Sequence, residues 1–251
     1  MVLPLFKSHY SLGRSILTLN AMKSSIEGGP RSAIDICLEN EIERLFLVED
    51  GMGGFLEAYI NCKEAKMKFS FGLRITICED RLTKNEDSIA TSSKYIIFAK
   101  NTSGYKKLIK IYSDAAKEGF YYEPRTDFSI LRDIWSDKEL MLCVPFYDSF
   151  LYKNILYNHY CITDFSFTKP VFFLEDNDLF TDLVMRENIS SFCKESYETT
   201  EVKSVFYENK QDFKTYLTFR CINNRTTLNK PQLDHMSSDE FCIESWKENK
   251  N

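Results

Sequence analysis

Two adjacent carboxylates, Glu49 and Asp50, close the apolar stretch Arg44–Val48 and run directly into Gly51-Met52-Gly53-Gly54. Carboxylates at a strand end suit a hard divalent cation, and Mg²⁺ is commonly held by only one or two of them. Mg²⁺ or Mn²⁺ at Glu49 and Asp50 is therefore one chemistry open to this chain. A glycine-rich turn ahead of a helix is also where phosphate binds, because free backbone N–H groups point outward there. This turn lacks the Lys-Ser/Thr end of a P-loop and the full dinucleotide fingerprint, so it is read as a strand-to-helix turn. The three histidines, His9, His159 and His235, stand far apart with no H-x-H or H-x-x-x-H pair. A multinuclear site built mainly from imidazoles cannot be assembled from them; His159 and His235 are read as surface or capping residues. The eight cysteines form no C-x-x-C pair and sit among apolar neighbours, which points to reduced, buried thiols.

The elements that must position these residues can be read from periodicity. Pro4–Lys7, Arg44–Val48, Tyr95–Ala99, Leu140–Val144 and Val171–Leu174 are short apolar runs suited to buried strands. Phe69, Phe71, Leu73, Ile75 and Ile77 alternate as in a half-buried strand. Ser32–Glu43 places Ile34, Cys37, Leu38 and Ile42 on one helical face behind Ser32 as N-cap, and Phe55–Ala65 repeats the pattern. A helix capped by Thr102 or Ser103 presents Tyr105, Leu108, Ile109, Tyr112 and Ala116, and Gly119 stops it. Asp178–Lys194 and Asp212–Ile222 are further helices, with Val202–Tyr207 as a strand between them. Strands alternating with helices imply a parallel sheet, open or closed into a barrel. With no linker, repeat or low-complexity block, residues 1–245 are expected to form a single domain, with 246–251 a polar, frayed tail.

Composition narrows the function classes. Hydrophobic residues make up 43% and charged residues 27% of the 251, an ordinary globular balance that argues against disorder. With 20 Phe and 14 Tyr against 2 Trp, the core is expected to be built on Phe and Tyr. The net charge of −5 excludes a global basic field, so any DNA contact must come from a local patch or through a partner. No apolar run reaches a membrane span, and Met1–Leu5 is too short and uncharged for a signal peptide. The expected setting is a cytoplasm, bacterial or that of a phage host.

Tyr10-Ser11-Leu12, the block Gly104–Leu108, the block Glu118–Arg125 and the late Ser237–Phe241 resemble, in order and spacing, the PHP (polymerase and histidinol phosphatase) domain of the bacterial DNA polymerase III alpha subunit. The resemblance implies a distorted seven-stranded β/α barrel. It also implies up to three metal ions at the barrel mouth of the active members, which hydrolyse phosphoester bonds through a metal-bound water. By the resemblance, the positions where the family places its ligands hold Leu5 and Lys7 in an ungapped alignment (Lys7 and His9 with a two-residue gap), Glu49 and Asp50, Arg74, Lys94, Pro145 or a neighbour, and Phe206. Charged Lys and Arg have no lone pair to give a metal. The resemblance thus implies former metal positions with no resident cofactor, in which Lys7, Arg74 and Lys94 pair with Glu49 and Asp50 in place of the ions. Phe120–Tyr122 is read as packing rather than a base-stacking platform, with Arg125 anchoring that loop.

The chain ends where, by this resemblance, the polymerase domain would begin, so the expectation is a stand-alone PHP-like module without catalysis. It would act as an accessory or interaction subunit in DNA replication, binding a replicative DNA polymerase, a proofreading exonuclease, or both, and meeting DNA only indirectly. Two alternatives remain: a residual metal-dependent phosphoesterase or 3′–5′ exonuclease, and a mimic of a host polymerase's PHP domain that titrates its exonuclease.

Overall fold

The computed structural model describes residues 2–24, 28–228 and 238–248. His235, Ser237 and the last three tail residues lie outside them.

The elements run β1 (Leu3–Phe6), α1 (Ala33–Glu39), β2 (Arg44–Glu49), α2 (Phe55–Glu64), β3 (Lys68–Cys78), α3 (Glu86–Ala90), β4 (Ser93–Ala99), α4 (Thr102–Lys117), β5 (Arg125–Asp127), α5 (Phe128–Ile134), β6 (Leu140–Val144), α6 (Phe150–Leu156), β7 (Val171–Leu174), α7 (Asp182–Cys193), β8 (Glu198–Val205), a 3₁₀ turn at Lys210–Asp212, α8 (Phe213–Asn224) and α9 (Ile243–Glu248). The strand order is β2-β1-β8-β7-β6-β4-β3-β5, with β2 also paired to β3. The return from β3 to β2 makes this the strand order of a seven-stranded β/α barrel with β5 appended, the α/β class expected. The all-parallel sheet implied by alternation needs correction: β4 runs antiparallel to both β3 and β6. The connection from β3 to β4 carries the short α3 and returns the chain as an antiparallel neighbour.

Contacts group the chain into two compact units, the first comprising Met1–Phe71, Glu175–Asp182 and Glu201–Asn251, the second Gly72–Leu174 and Leu183–Thr200. In the first unit β1 pairs in parallel with β2 (Phe6 with Leu47) and with β8 (Leu5 with Ser204). Ser32 caps α1 as expected, its hydroxyl accepting from the Ile34 N–H, although Leu38 of the expected apolar face is exposed. Phe206 is buried between Tyr216 of α8 and Phe241, with ring centroids 5.9 and 5.4 Å away. Trp246, expected in a frayed tail, is instead buried in α9 and donates its indole N–H to the Val2 carbonyl at 2.9 Å.

In the second unit β3 is not half-buried: every residue from Gly72 to Cys78 is covered, so its alternation marks two buried faces. Asn101, not Thr102 or Ser103, caps α4, its side chain accepting from the Gly104 N–H. The buried face of α4 is Gly104, Leu108, Ile111 and Ala115, one step round from the expected stripe, and Ile109 is exposed. That rotation lets Gly104 meet the Glu139 carbonyl, which a Cβ would approach to 2.0 Å. Gly119, one residue past the helix C-cap, likewise faces the Arg125 carbonyl, at 1.9 Å from where a Cβ would lie. Arg125 is fully buried and anchors its loop as expected, donating to the Gly119, Arg81 and Thr83 carbonyls and to the Ser88 hydroxyl. Phe120 and Tyr122, expected to pack, are 50% and 79% exposed. All eight cysteines are free thiols and seven are buried, as composition suggested.

Candidate functional site

In the first unit the parallel pairing of β1 with β2 brings their C-terminal ends together, and with them Lys7 and Glu49-Asp50. The Lys7 ammonium donates to Oδ1 of Asp50 at 2.9 Å, the ion pair expected. Glu49 is held by protein donors on both oxygens: the Ser8 N–H (2.9 Å), the Ser8 hydroxyl (2.6 Å) and the Ser11 hydroxyl all donate to its carboxylate. Ser11 also accepts from the Asp50 N–H at 2.9 Å, so one hydroxyl joins both acids. Burial pushes the Glu49 carboxyl above its usual range, against the pull of the Lys7 charge and the serine hydrogen bonds. Leu5, one strand step earlier, is buried and apolar. Tyr10 lies over the Gly53–Gly54 turn, within 3.2 Å of where either Cβ would stand, and donates to Glu57 at 2.7 Å. The glycines thus make room for a ring at the helix entrance, as a structural turn.

A second acid of this unit went unnoticed in the sequence. Glu175, wholly buried, accepts from the Ser204 hydroxyl (2.9 Å), the Ser204 N–H (3.2 Å) and the Asn177 amide (3.0 Å). Burial raises its pKa, with those donors and Lys203 opposing. Lys203, also buried, donates to the Asp176 carbonyl at 2.9 Å and lies 3.4 Å from Glu240. Phe206 fills its position with an aromatic stack and offers no ligand atom.

In the second unit, Arg74 and Thr76 share a face of β3, and Lys94 of β4 stands opposite Thr76. The Arg74 guanidinium pairs with Asp148 at 2.5 Å and is 8% exposed. Lys94 donates to the Thr76 hydroxyl (2.5 Å) and to Glu123 (2.6 Å), and Thr76 donates to the other oxygen of Glu123 at 2.5 Å. Burial pushes the Glu123 carboxyl up, but Lys94 and Thr76 outweigh it and hold it below the usual range. Asp148, at φ 61°, also accepts the Lys94 backbone N–H through its carbonyl at 2.9 Å. Pro145 is buried directly after β6. Arg74 and Lys94, expected to pair with Glu49 and Asp50, instead pair with Asp148 and Glu123. Both partners follow aromatic pairs, Phe146-Tyr147 and Tyr121-Tyr122, and neither is near its cation in sequence. A signal was present, since Arg74, Thr76 and Lys94 are polar residues inside apolar strands and require buried polar partners.

These residues do not fit a metal centre of the kind the resemblance implies. Of the eight positions singled out from the resemblance, Leu5, Lys7, Arg74, Lys94, Pro145 and Phe206 carry alkyl, aromatic, pyrrolidine or cationic side chains, leaving Glu49 and Asp50 as the two carboxylates. Asp50 faces an ammonium, and Glu49 has three protein donors on its oxygens. Among the described residues no group of three or more His, Cys, Asp and Glu stands together as metal ligands. No described helix is long and apolar enough to cross a membrane.

Comparison with known proteins accounts for this frame. The chain is similar to DNA polymerase III subunit alpha of Borreliella burgdorferi, 25% identical over 210 residues that make up 78% of this chain and 18% of the relative. It is 46% identical over 55 residues to the Aquifex aeolicus subunit, covering 21% of this chain and 5% of that protein. With the Chlamydia trachomatis subunit it shares 31% identity over 97 residues, 38% of this chain and 8% of the relative. The chain therefore spans less than a fifth of the length of the relatives it matches. The model of the PHP domain matches residues 7–150, more than half of the sequence, and this chain belongs to the PHP domain family.

Proposed function

We propose that this chain is a non-catalytic PHP module of DNA replication, an accessory or interaction subunit that binds a replicative polymerase, a proofreading exonuclease, or both. The observation that carries the reading is the Lys7–Asp50 pair beside the serine-bound Glu49: the two carboxylates that could serve a cation are engaged by the protein's own donors. A cation fixed by the fold supplies positive charge but activates no water, so the frame is kept and the hydrolytic chemistry is not. The likeness to alpha subunits of DNA polymerase III supports the replication setting.

The test combines metal analysis, a phosphodiester hydrolysis assay and affinity capture from host lysate. The expected result is no stoichiometric Zn²⁺, Mn²⁺ or Fe, no hydrolysis with added Mn²⁺, and capture of a polymerase. Bound metal together with hydrolysis would establish the residual phosphoesterase instead. Capture of free exonuclease without polymerase would establish a mimic.

A further inference from the structure

The exposed side of α4 carries a charge pattern that nothing above uses. Ser103, Lys106, Lys110, Ser113 and Lys117 are all exposed. At 3.6 residues per turn they fall within roughly 80° of arc, and Lys106 to Lys117 spans about 16 Å. Lys106 and Lys110 have no side-chain partner among the described residues, and Lys117, 83% exposed, has only the exposed Glu118 beside it at 3.5 Å. The other charges of the helix are engaged: Lys107 with Glu139 at 2.6 Å, and Asp114 with Arg81 at 2.8 Å. In a chain of net charge −5, this is a face with three open ammonium groups, one hydroxyl (Ser113) among them and another (Ser103) at its start.

We propose that this face of α4 is a binding site for the phosphodiester backbone of a nucleic acid. Backbone phosphates recur every 3.4 Å or so along the axis of one strand, so about 16 Å of lysines spans roughly five of them. Serine hydroxyls and lysines are the groups that contact phosphate without reading sequence. An anionic membrane is the poorer match, because an interfacial helix buries a broad apolar face in lipid. The apolar face of α4, Leu108, Ile111 and Ala115, is already committed to the core, and Ile109 is its only large apolar side chain exposed. The site does not depend on the accessory reading, since a phosphoesterase or a mimic could carry it equally.

The experiment is fluorescence anisotropy of the full chain with a labelled single strand and a duplex of about 20 nucleotides, from about 50 to 200 mM salt. The wild type is compared with the triple variant Lys106→Ala, Lys110→Ala, Lys117→Ala. The control, Lys63→Ala, Lys214→Ala, Lys247→Ala, removes the same charge from elsewhere. The expected result is weak binding whose log affinity falls with log salt at a slope of about −2 for single strand and −2.7 for duplex. The α4 variant should lose about tenfold at low salt and most of the slope, with thermal unfolding unchanged and the control behaving as wild type. Equal loss in both variants, or no wild-type binding at low salt, would overturn the site. Tighter binding to phosphatidylserine vesicles than to either nucleic acid would also overturn it, assigning the face to membranes.

Discussion

The ammonium of Lys7 lies 2.9 Å from Oδ1 of Asp50, with the lysine side chain 6% exposed and the aspartate 31%. A covered cation needs its counter-charge more than a partly wet carboxylate does. Asp50→Ala is therefore expected to cost about 1.5–3 kcal/mol in urea unfolding. Adding Lys7→Met should recover part of the loss by removing the stranded charge. An Asp50→Ala protein as stable as the parent would show that the pair does not hold the strand ends together.

Ser11 donates to Glu49 and accepts from the Asp50 N–H. Ser11→Ala strips one donor from a buried carboxylate and orphans a backbone N–H, an expected loss of about 1–3 kcal/mol. In a Glu49→Gln background Ser11→Ala should cost less than it does in the parent, because a neutral amide needs fewer donors. Equal losses in both backgrounds would mean that Ser11 acts through packing.

The two acids with opposite shifts predict opposite pH behaviour. Glu123 has its folded pKa depressed below the ordinary 4.5, so its stabilisation is present above that value and is lost as pH falls through the folded one. Glu49 has its folded pKa raised above 4.5, so stability declines as pH rises from there through the folded value. Tm profiles should show Glu123→Gln flattening the acid limb and Glu49→Gln flattening the limb above pH 4.5. A Glu123→Gln profile parallel to the wild type would count against its pairing with Lys94.

Gly104 and Gly119 would each set a Cβ at 2.0 Å or less from a backbone carbonyl oxygen, which cannot retreat as a side chain could. Alanine at either position is expected to destabilise by about 1–3 kcal/mol, at Gly104 despite its better helix propensity. A gain in Tm for Gly104→Ala would contradict the close approach of α4 to the Glu139 backbone.

Trp246 is buried at 4% exposure and ties α9 to the chain start through the Val2 carbonyl. Trp246→Ala is expected to cost about 3–5 kcal/mol, and Trp246→Phe less, since it keeps the ring and loses the hydrogen bond. Removal of residues 246–251 should match Trp246→Ala; a neutral truncation would restore the frayed tail.

Strands were legible where they were short and apolar. Leu140–Val144 and Val171–Leu174 have the bounds that hydrophobicity indicated, and the helix at Asp212–Ile222 differs from α8 by a residue or two. Apolar runs between breakers leave little freedom in where a strand starts. Faces were harder to read. The α4 stripe was misplaced because its true seam runs through Gly104, and hydrophobicity gives no weight to a glycine that packs by absence of a side chain. Strict alternation in β3 looks the same whether its second face is open or covered, so hydrophobicity cannot tell the two apart.

The amino-acid order by itself determined the α/β class, the free thiols, the scarcity of imidazole and the presence of Lys7, Arg74 and Lys94 in or beside apolar strands. These follow from residue type and period, which are local properties. Only the tertiary structure decided who partners those cations. Lys7 meets Asp50 across 43 residues, Arg74 meets Asp148 across 74, and Lys94 meets Glu123 across 29. Burial demands a counter-charge for each, but a demand for charge does not specify which carboxylate meets it. Strand register and the turns that follow the strands make that choice.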